Sequence, residues 1–228
     1  MKRHASLYMA GSAPQVLYES EGEIHLAVGS GTEFQSTRIG LGIQPLWLPG
    51  GKRFLYGKEK GKRAGQRLYD LCVRELGDKP ERKLSLPAGM AYIRCPISSP
   101  TGQHIALFAS KDQKRWDIVV APTKRSILGG IVVAQDVVMD EQFDDVAPAW
   151  GPHGKKIFYF SKRGEEQGHY PLRWVDIESS KTGDIAYPKR LTTANGVAVA
   201  PSSEVSMLAF SAVQRLYANL YVIILNHF

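Results

Sequence analysis

The chain has 228 residues, a formal net charge of +7, 43% hydrophobic and 22% charged residues. This is ordinary globular composition, enough for one large all-β domain or two small domains, and it excludes a low-complexity chain. The positive charge favours acidic partners, and the lack of any window of eighteen uninterrupted apolar residues means that no transmembrane helix and no membrane insertion are expected.

In chain order, a basic start, Met1-Lys2-Arg3-His4, precedes an apolar stretch at 7–10 that is too short for the core of a signal peptide. A complete chain with this start is expected in the cytoplasm, and one from which an export signal has been removed in the periplasm. Residues 16–20, 23–28 and 34–39 read as the second, third and fourth strands of a partial repeat, 12–42. Residues 46–48 are then followed by Pro49-Gly50-Gly51 and by the aromatic run Phe54-Leu55-Tyr56. Proline presets φ for the first corner of a turn and glycine permits positive φ at the next, so strand, turn and strand form a β-hairpin. A third strand follows at 68–73, after a polar stretch at 57–66, and a weaker fourth at 82–86.

The same order recurs. Pro100-Thr101-Gly102 precedes Ile105-Ala106-Leu107-Phe108, with later strands at 117–121 and 131–135. Pro152-His153-Gly154 precedes Ile157-Phe158-Tyr159-Phe160, with later strands at 172–177 and 189–192. Pro201 precedes Met207-Leu208-Ala209-Phe210, with a third strand at 220–224. Successive turn prolines, from Pro49 to Pro201, stand 51, 52 and 49 residues apart. The repeats run approximately 12–42, 43–91, 92–143, 144–193 and 194–228. Four short antiparallel strands per repeat describe a propeller blade. The expected fold is therefore an all-β β-propeller of four-stranded blades in one domain, with four clear repeats plus a partial one, either five-bladed or part of a larger propeller. Residues 6–10 are the candidate strand for closing a five-bladed ring against 220–225. No segment has a sustained helical period, and 136–145 reads as an acidic loop.

Two copies of the motif, Pro45-Leu46-Trp47-Leu48-Pro49-Gly50-Gly51-Lys52 and Pro148-Ala149-Trp150-Gly151-Pro152-His153-Gly154-Lys155, carry a resemblance. They are similar to the TolB-like, PD40 or WD40-like β-propeller repeat, roughly Pro-x-Trp-Ser-Pro-Asp-Gly-Lys before an apolar strand. Gly50, Thr101, His153 and Ser202 stand where the family has Asp, and the last copy also loses its glycine. The resemblance covers about 16–225 and implies the propeller fold. Similar repeats serve in the Tol envelope protein, in propeller domains of prolyl-oligopeptidase-like and tricorn-like peptidases, and in some polysaccharide lyases, so the fold does not select a function.

The sequence offers Gly29-Ser30-Gly31 but no Gly-x-Ser-x-Gly nucleophile elbow, and no alternating strand and helix pattern to hold one. A catalytic peptidase domain is excluded within these residues; a propeller domain of such an enzyme is not. His4, His25, His104, His153, His169 and His227 show no helical zinc spacing, and His104 and His153 are expected as exposed residues in or beside the turns. Asp140, Glu141, Asp144 and Asp145 lack the glycine-centred alternation of a calcium loop and read as solvated. No catalytic residue, metal site or cofactor is expected. Cys72 and Cys95 lack Cys-x-x-Cys spacing and are expected as buried free thiols, a single disulfide being the alternative. Trp47 and Trp150 hold equivalent places and are expected to pack between blades; Trp116 and Trp174, at third strands, are also expected to pack.

The densest positive feature is Lys58, Lys60, Lys62, Arg63 and Arg67, just after Lys52 and Arg53. It reads as a solvated hairpin tip and is the candidate partner-binding site. Only Tyr56 and Tyr69 flank it, so stacking platforms are sparse and nucleic acid is not the expected partner. The expected function is a non-catalytic scaffold, TolB-like, that mediates protein–protein interaction. The alternative is the substrate-binding or gating propeller of a prolyl-oligopeptidase-like peptidase or a metal-dependent polysaccharide lyase. Nucleic-acid binding through the basic residues ranks third.

Overall fold

Short apolar runs punctuated by Pro-Gly turns favour strands over helices, and every regular element among the described residues is a β-strand. The computed structural model describes residues 5–10, 13–30, 33–63, 65–77, 79–124, 129–137, 148–163, 169–187, 192–200, 206–214 and 217–225, the last three as backbone alone. Among them no helix is long and apolar enough to cross a membrane. The strands fall into two compact units, Met1–Ser85 and Leu86–Phe228.

The first unit holds two antiparallel four-stranded sheets, each in chain order. The first comprises β1 (Ala5–Ala10), β2 (Ala13–Ser20), β3 (Glu23–Ser30) and β4 (Glu33–Leu41). Residues 6–10 thus lie in β1 and pair with β2, Ser6 opposite Leu17 and Leu7 opposite Val16. They complete the first repeat, which the sequence leaves partial and whose first strand it offers to the last repeat. The local hairpin wins because its loop is only two residues long. The second sheet comprises β5 (Ile43–Trp47), β6 (Arg53–Arg63), β7 (Gln66–Glu75) and β8 (Arg82–Lys83). Leu17, Ile24, Trp47, Phe54, Tyr56 and Cys72 form a buried cluster in this unit, with Tyr8 packed against it. Trp47 lies 6.0 Å from Tyr8, centroid to centroid, and its backbone N–H donates to Ser6 Oγ at 2.9 Å.

In the second unit, β9 (Tyr92–Ser98), β10 (His104–Ser110), β11 (Asp117–Pro122) and β12 (Ile131–Ala134) form the third sheet. β13 (Ala149–Trp150), β14 (Lys156–Phe160), β15 (Leu172–Asp176) and β16 (Thr182–Ile185) form the fourth. β17 (Thr192–Ala200), β18 (Ser206–Gln214) and β19 (Tyr217–Leu225) form a three-stranded sheet. Ile105, Ala106, Leu107, Phe108 and Ala109 of β10 are all buried, so this strand is covered on both faces. That is why it reads as a continuous apolar run rather than an alternating one. Each of its large side chains contributes about 1.5–3 kcal/mol by burial.

The fourth strand of that last four-stranded sheet is a correction. The sequence places it at 189–192, but β16 lies at Thr182–Ile185, with Arg173 opposite Asp184 and Trp174 opposite Gly183. Its residues are mostly polar because it is an outer strand, so it lacks the apolar density that marks the others. Thr192 begins β17 instead. A Cβ on Gly183 would come 2.5 Å from Trp174 Nε1, so the glycine leaves room for the indole ring.

Three Pro-Gly turns repeat bond for bond. Gly51 N donates to Leu48 O, Gly102 N to Ser99 O and Gly154 N to Gly151 O, at 3.1, 2.9 and 3.0 Å. Leu48, Ser99 and Gly151 then each donate to the carbonyl five residues on, at 2.9, 2.9 and 2.8 Å. The conserved geometry puts positive φ on the fourth turn residue: +60° at Gly51, +66° at Gly102 and +68° at Gly154. The copy at Pro201 lies outside the described residues. Cys72 and Cys95 form no disulfide; Cys72 is buried but Cys95 only half-buried, which corrects the expectation of two buried thiols.

Candidate functional site: a basic β-ribbon

β5 pairs with β6 only from Ile43 opposite Gly57 to Trp47 opposite Phe54. β8 pairs with β7 only at Cys72 and Val73. Beyond Gly57 and Leu71, β6 and β7 pair with each other alone, from Lys58 opposite Asp70 to Arg63 opposite Gln66. The polar stretch between the second and third strands of this repeat is therefore a two-stranded ribbon, extended by about 20 Å at some 3.3 Å per residue. Its polar composition hides the strand pattern, because neither face of this ribbon is buried.

The ribbon brings all five predicted residues together, and Lys58, Lys60, Lys62, Arg63 and Arg67 are all exposed. The register shifts between Glu59 and Gly61, leaving Lys60 as the extra residue of a bulge. Lys60 Nζ then reaches Asp70 Oδ1 at 3.1 Å, and Lys83 Nζ reaches the other oxygen at 2.8 Å. Burial opposes ionisation of Asp70, but the hydrogen bonds from Lys83 and Lys60 outweigh it and hold the carboxyl below its ordinary range. Lys58 and the Tyr56 hydroxyl both donate to Glu81. Those two bonds hold the Glu81 carboxyl below its ordinary range, and the bond to Glu81 raises Lys58. Burial, then the bond to Glu81, pushes the Tyr56 hydroxyl up. Burial likewise pushes the nearby Cys72 thiol up to about 11, with the Glu81 and Asp70 charges adding to it.

The base of the ribbon is thus charge-compensated, and the tip is different. Arg67 Nη1 lies 3.4 Å from Glu59 Oε2, while Lys62 and Arg63 make no ion pair among the described residues. Lys62 stands directly opposite Arg67. Like charges directly opposite one another destabilise a strand pair, a cost that Glu59 beside Arg67 offsets. The sequence shows the cations but misses Asp70 and Glu81 as their partners, since only the hairpin register brings them together.

The remaining candidates do not join this site. His153 is exposed in its turn, as expected. His104 is a correction: it begins β10, is half-buried, and stacks 6.4 Å from Trp150; burial lowers its pKa. His25 stacks on Tyr18 at 5.1 Å and His169 on Tyr187 at 4.3 Å. His4, His227, Asp140, Glu141, Asp144 and Asp145 lie outside the described residues. Among the described residues no group of three His, Cys, Asp or Glu side chains converges as a metal site. Trp47 and Trp150 pack between sheets: Trp47 against Tyr8 of β1, and Trp150 through an Nε1–H bond of 3.3 Å to Ile97 O of β9. Trp116 is buried, and Trp174 lies under Lys156 Nζ at 4.5 Å.

No family model matches the chain, and no curated protein matches it in sequence. Solved structures do match in fold. A TolB-type protein from Agrobacterium tumefaciens is 16% identical, with a TM-score of 0.57 over 93% of this chain and 73% of that one. A puromycin-hydrolyzing peptidase from Mycobacterium tuberculosis is 13% identical, with a TM-score of 0.64 over 98% of this chain but only 37% of that one. The β-propeller domain of the Trilobed protease from Pyrococcus furiosus is 12% identical, with a TM-score of 0.60 over 96% of this chain and 68% of that one. The fold is accordingly a β-propeller, as the Pro-Gly repeats predict.

Proposed function

We propose that this propeller is a non-catalytic binding scaffold that docks an acidic protein surface on its β6–β7 ribbon. The observation that carries this reading is the tip, where Lys62 faces Arg67 across the strands and neither Lys62 nor Arg63 has an ion-pair partner among the described residues. Exposed charges of this kind steer association and set its salt dependence more than they set affinity. The paired lysines at the base hold the ribbon to its sheet, so the tip is presented rather than folded back. Similarity to a TolB-type protein and to peptidase propellers supports the fold on which this reading stands.

The test compares the wild-type chain with a Lys62→Glu, Arg63→Glu, Arg67→Glu variant as immobilised bait. The expected result is one stoichiometric partner of acidic isoelectric point, retained by the wild type at low salt and lost by the variant. Equal retention by both baits would sink the docking site. Robust hydrolytic turnover by the purified chain would sink the non-catalytic reading.

A further inference from the structure

A cleft of about 580 Å³ opens in the second unit between β12 and the outer strands of the neighbouring sheet. Strand register builds one wall. Tyr159 of β14 stands opposite Arg173 of β15, and Arg173 opposite Asp184 of β16, so the three side chains form a row on one face. Arg163 and Gln135 line the other side, with Arg163 Nε donating to Asp136 Oδ2 at 2.7 Å and Arg163 Nη2 to Gln135 Oε1 at 3.1 Å.

Two features mark this cleft as a site. Tyr159 is only 7% exposed, yet its hydroxyl has no hydrogen-bond partner among the described residues. That hydroxyl is not sealed in the core, because Tyr159 lines the cleft and its oxygen is not among the fully enclosed unpaired atoms. The hydroxyl is therefore a donor that an occupant of the cleft can reach. Second, the lining is rich in donors. Guanidinium groups donate only, and the Gln135 oxygen is already engaged by Arg163, leaving its amide hydrogens. Asp184, the acceptor in the row, is 69% exposed at the rim. Arg173 Nε lies 2.9 Å from Asp184 Oδ1 but is not aligned for a hydrogen bond with it.

We propose that this cleft binds a carboxylate, whose oxygens take hydrogen bonds from the Tyr159 hydroxyl and the guanidinium groups of Arg163 and Arg173. Guanidinium and carboxylate match geometrically as a two-pronged pair. Burial raises the pKa of the Tyr159 hydroxyl, so it remains a donor at neutral pH. The carboxylate comes either from a free small acid or from a polypeptide, and the site lies in the other unit from the ribbon, so it stands independently of the docking proposal.

The test is titration calorimetry of the full chain with glutarate and with an N-acetylated tetraglutamate peptide, against sodium chloride at matched ionic strength. Saturable one-to-one binding is expected for at least one carboxylate. Tyr159→Phe, which keeps the ring and removes the hydroxyl, should weaken it about tenfold, and Arg173→Lys by a similar factor. The melting temperature of Tyr159→Phe should stay level, since the ring that packs is kept and the hydroxyl lost makes no hydrogen bond among the described residues. Tighter binding of the peptide assigns the carboxylate to a polypeptide, and tighter binding of glutarate to a free acid; both uphold the site. Heats no larger than those of chloride, or a Tyr159→Phe variant that binds as tightly as the wild type, overturn it.

Discussion

Gly51 and Gly154 hold the same turn position at nearly the same φ, +60° and +68°, but their surroundings differ. A Cβ on Gly51 would lie 2.0 Å from Tyr8 Cε1 and 2.2 Å from Tyr8 Cδ1, whereas one on Gly154 would meet Thr101 at 3.4 Å. The left-handed backbone costs an L-residue about 1–2 kcal/mol at either site. Displacing the Tyr8 ring adds an overpacking cost of about 1–3 kcal/mol at Gly51 alone. Gly154→Ala should therefore destabilise by about 1–2 kcal/mol, and Gly51→Ala by about 2–5 kcal/mol. Tyr8→Ala removes the obstacle, so the double variant should lose about 1–3 kcal/mol less than the sum of the single variants. Equilibrium urea denaturation of the full chain, followed by circular dichroism, reads the cycle. Losses at Gly51 and Tyr8 that add to within about 0.5 kcal/mol would refute the clash, as would equal costs at Gly51 and Gly154.

Glu81 and Asp70 both have folded pKa values below their ordinary ones, 4.5 and 3.8 respectively. A depressed carboxylate stabilises the fold above its unfolded pKa, and this contribution fades as pH falls through the folded value. The melting temperature should therefore fall as the solution is acidified below about pH 4.5, and Glu81→Gln should flatten that decline while lowering the neutral-pH value. Cys72 is buried with its thiol pushed up to about 11, whereas Cys95 is only half-buried. At pH 8 a thiol reagent should label Cys95 in the native chain and Cys72 only after unfolding; peptide mapping by mass spectrometry separates the two.

The Pro-Gly turns are legible in the sequence because their requirement is local: proline at one corner and a glycine tolerating positive φ, as at Gly51, Gly102 and Gly154. Buried strands such as β10 and β14 are legible because apolar side chains cover both faces. β16 escapes because Thr182, Gly183 and Asp184 carry little apolar signal, and their strand identity comes from pairing with β15. The ribbon escapes for the same reason, although its cations stand out in the sequence. Which lysine meets which acid depends on a single extra residue, Lys60, that shifts the register. The row of Tyr159, Arg173 and Asp184 spans 25 residues of sequence and has no motif; only the alignment of three strands reveals it.

The tryptophans of the Pro-Gly motif each look backwards along the chain. Trp47 engages β1 through Ser6 and Tyr8, and Trp150 engages β9 through Ile97. The residue that marks a repeat is therefore also the residue that fastens it to the one before, and the fastening needs little from its neighbour beyond a backbone carbonyl or a small hydroxyl. A repeat of this kind carries its own coupling. Gene duplication can copy or delete it whole, and the seam is renewed each time, because nearest-neighbour contacts of this sort sum along an array.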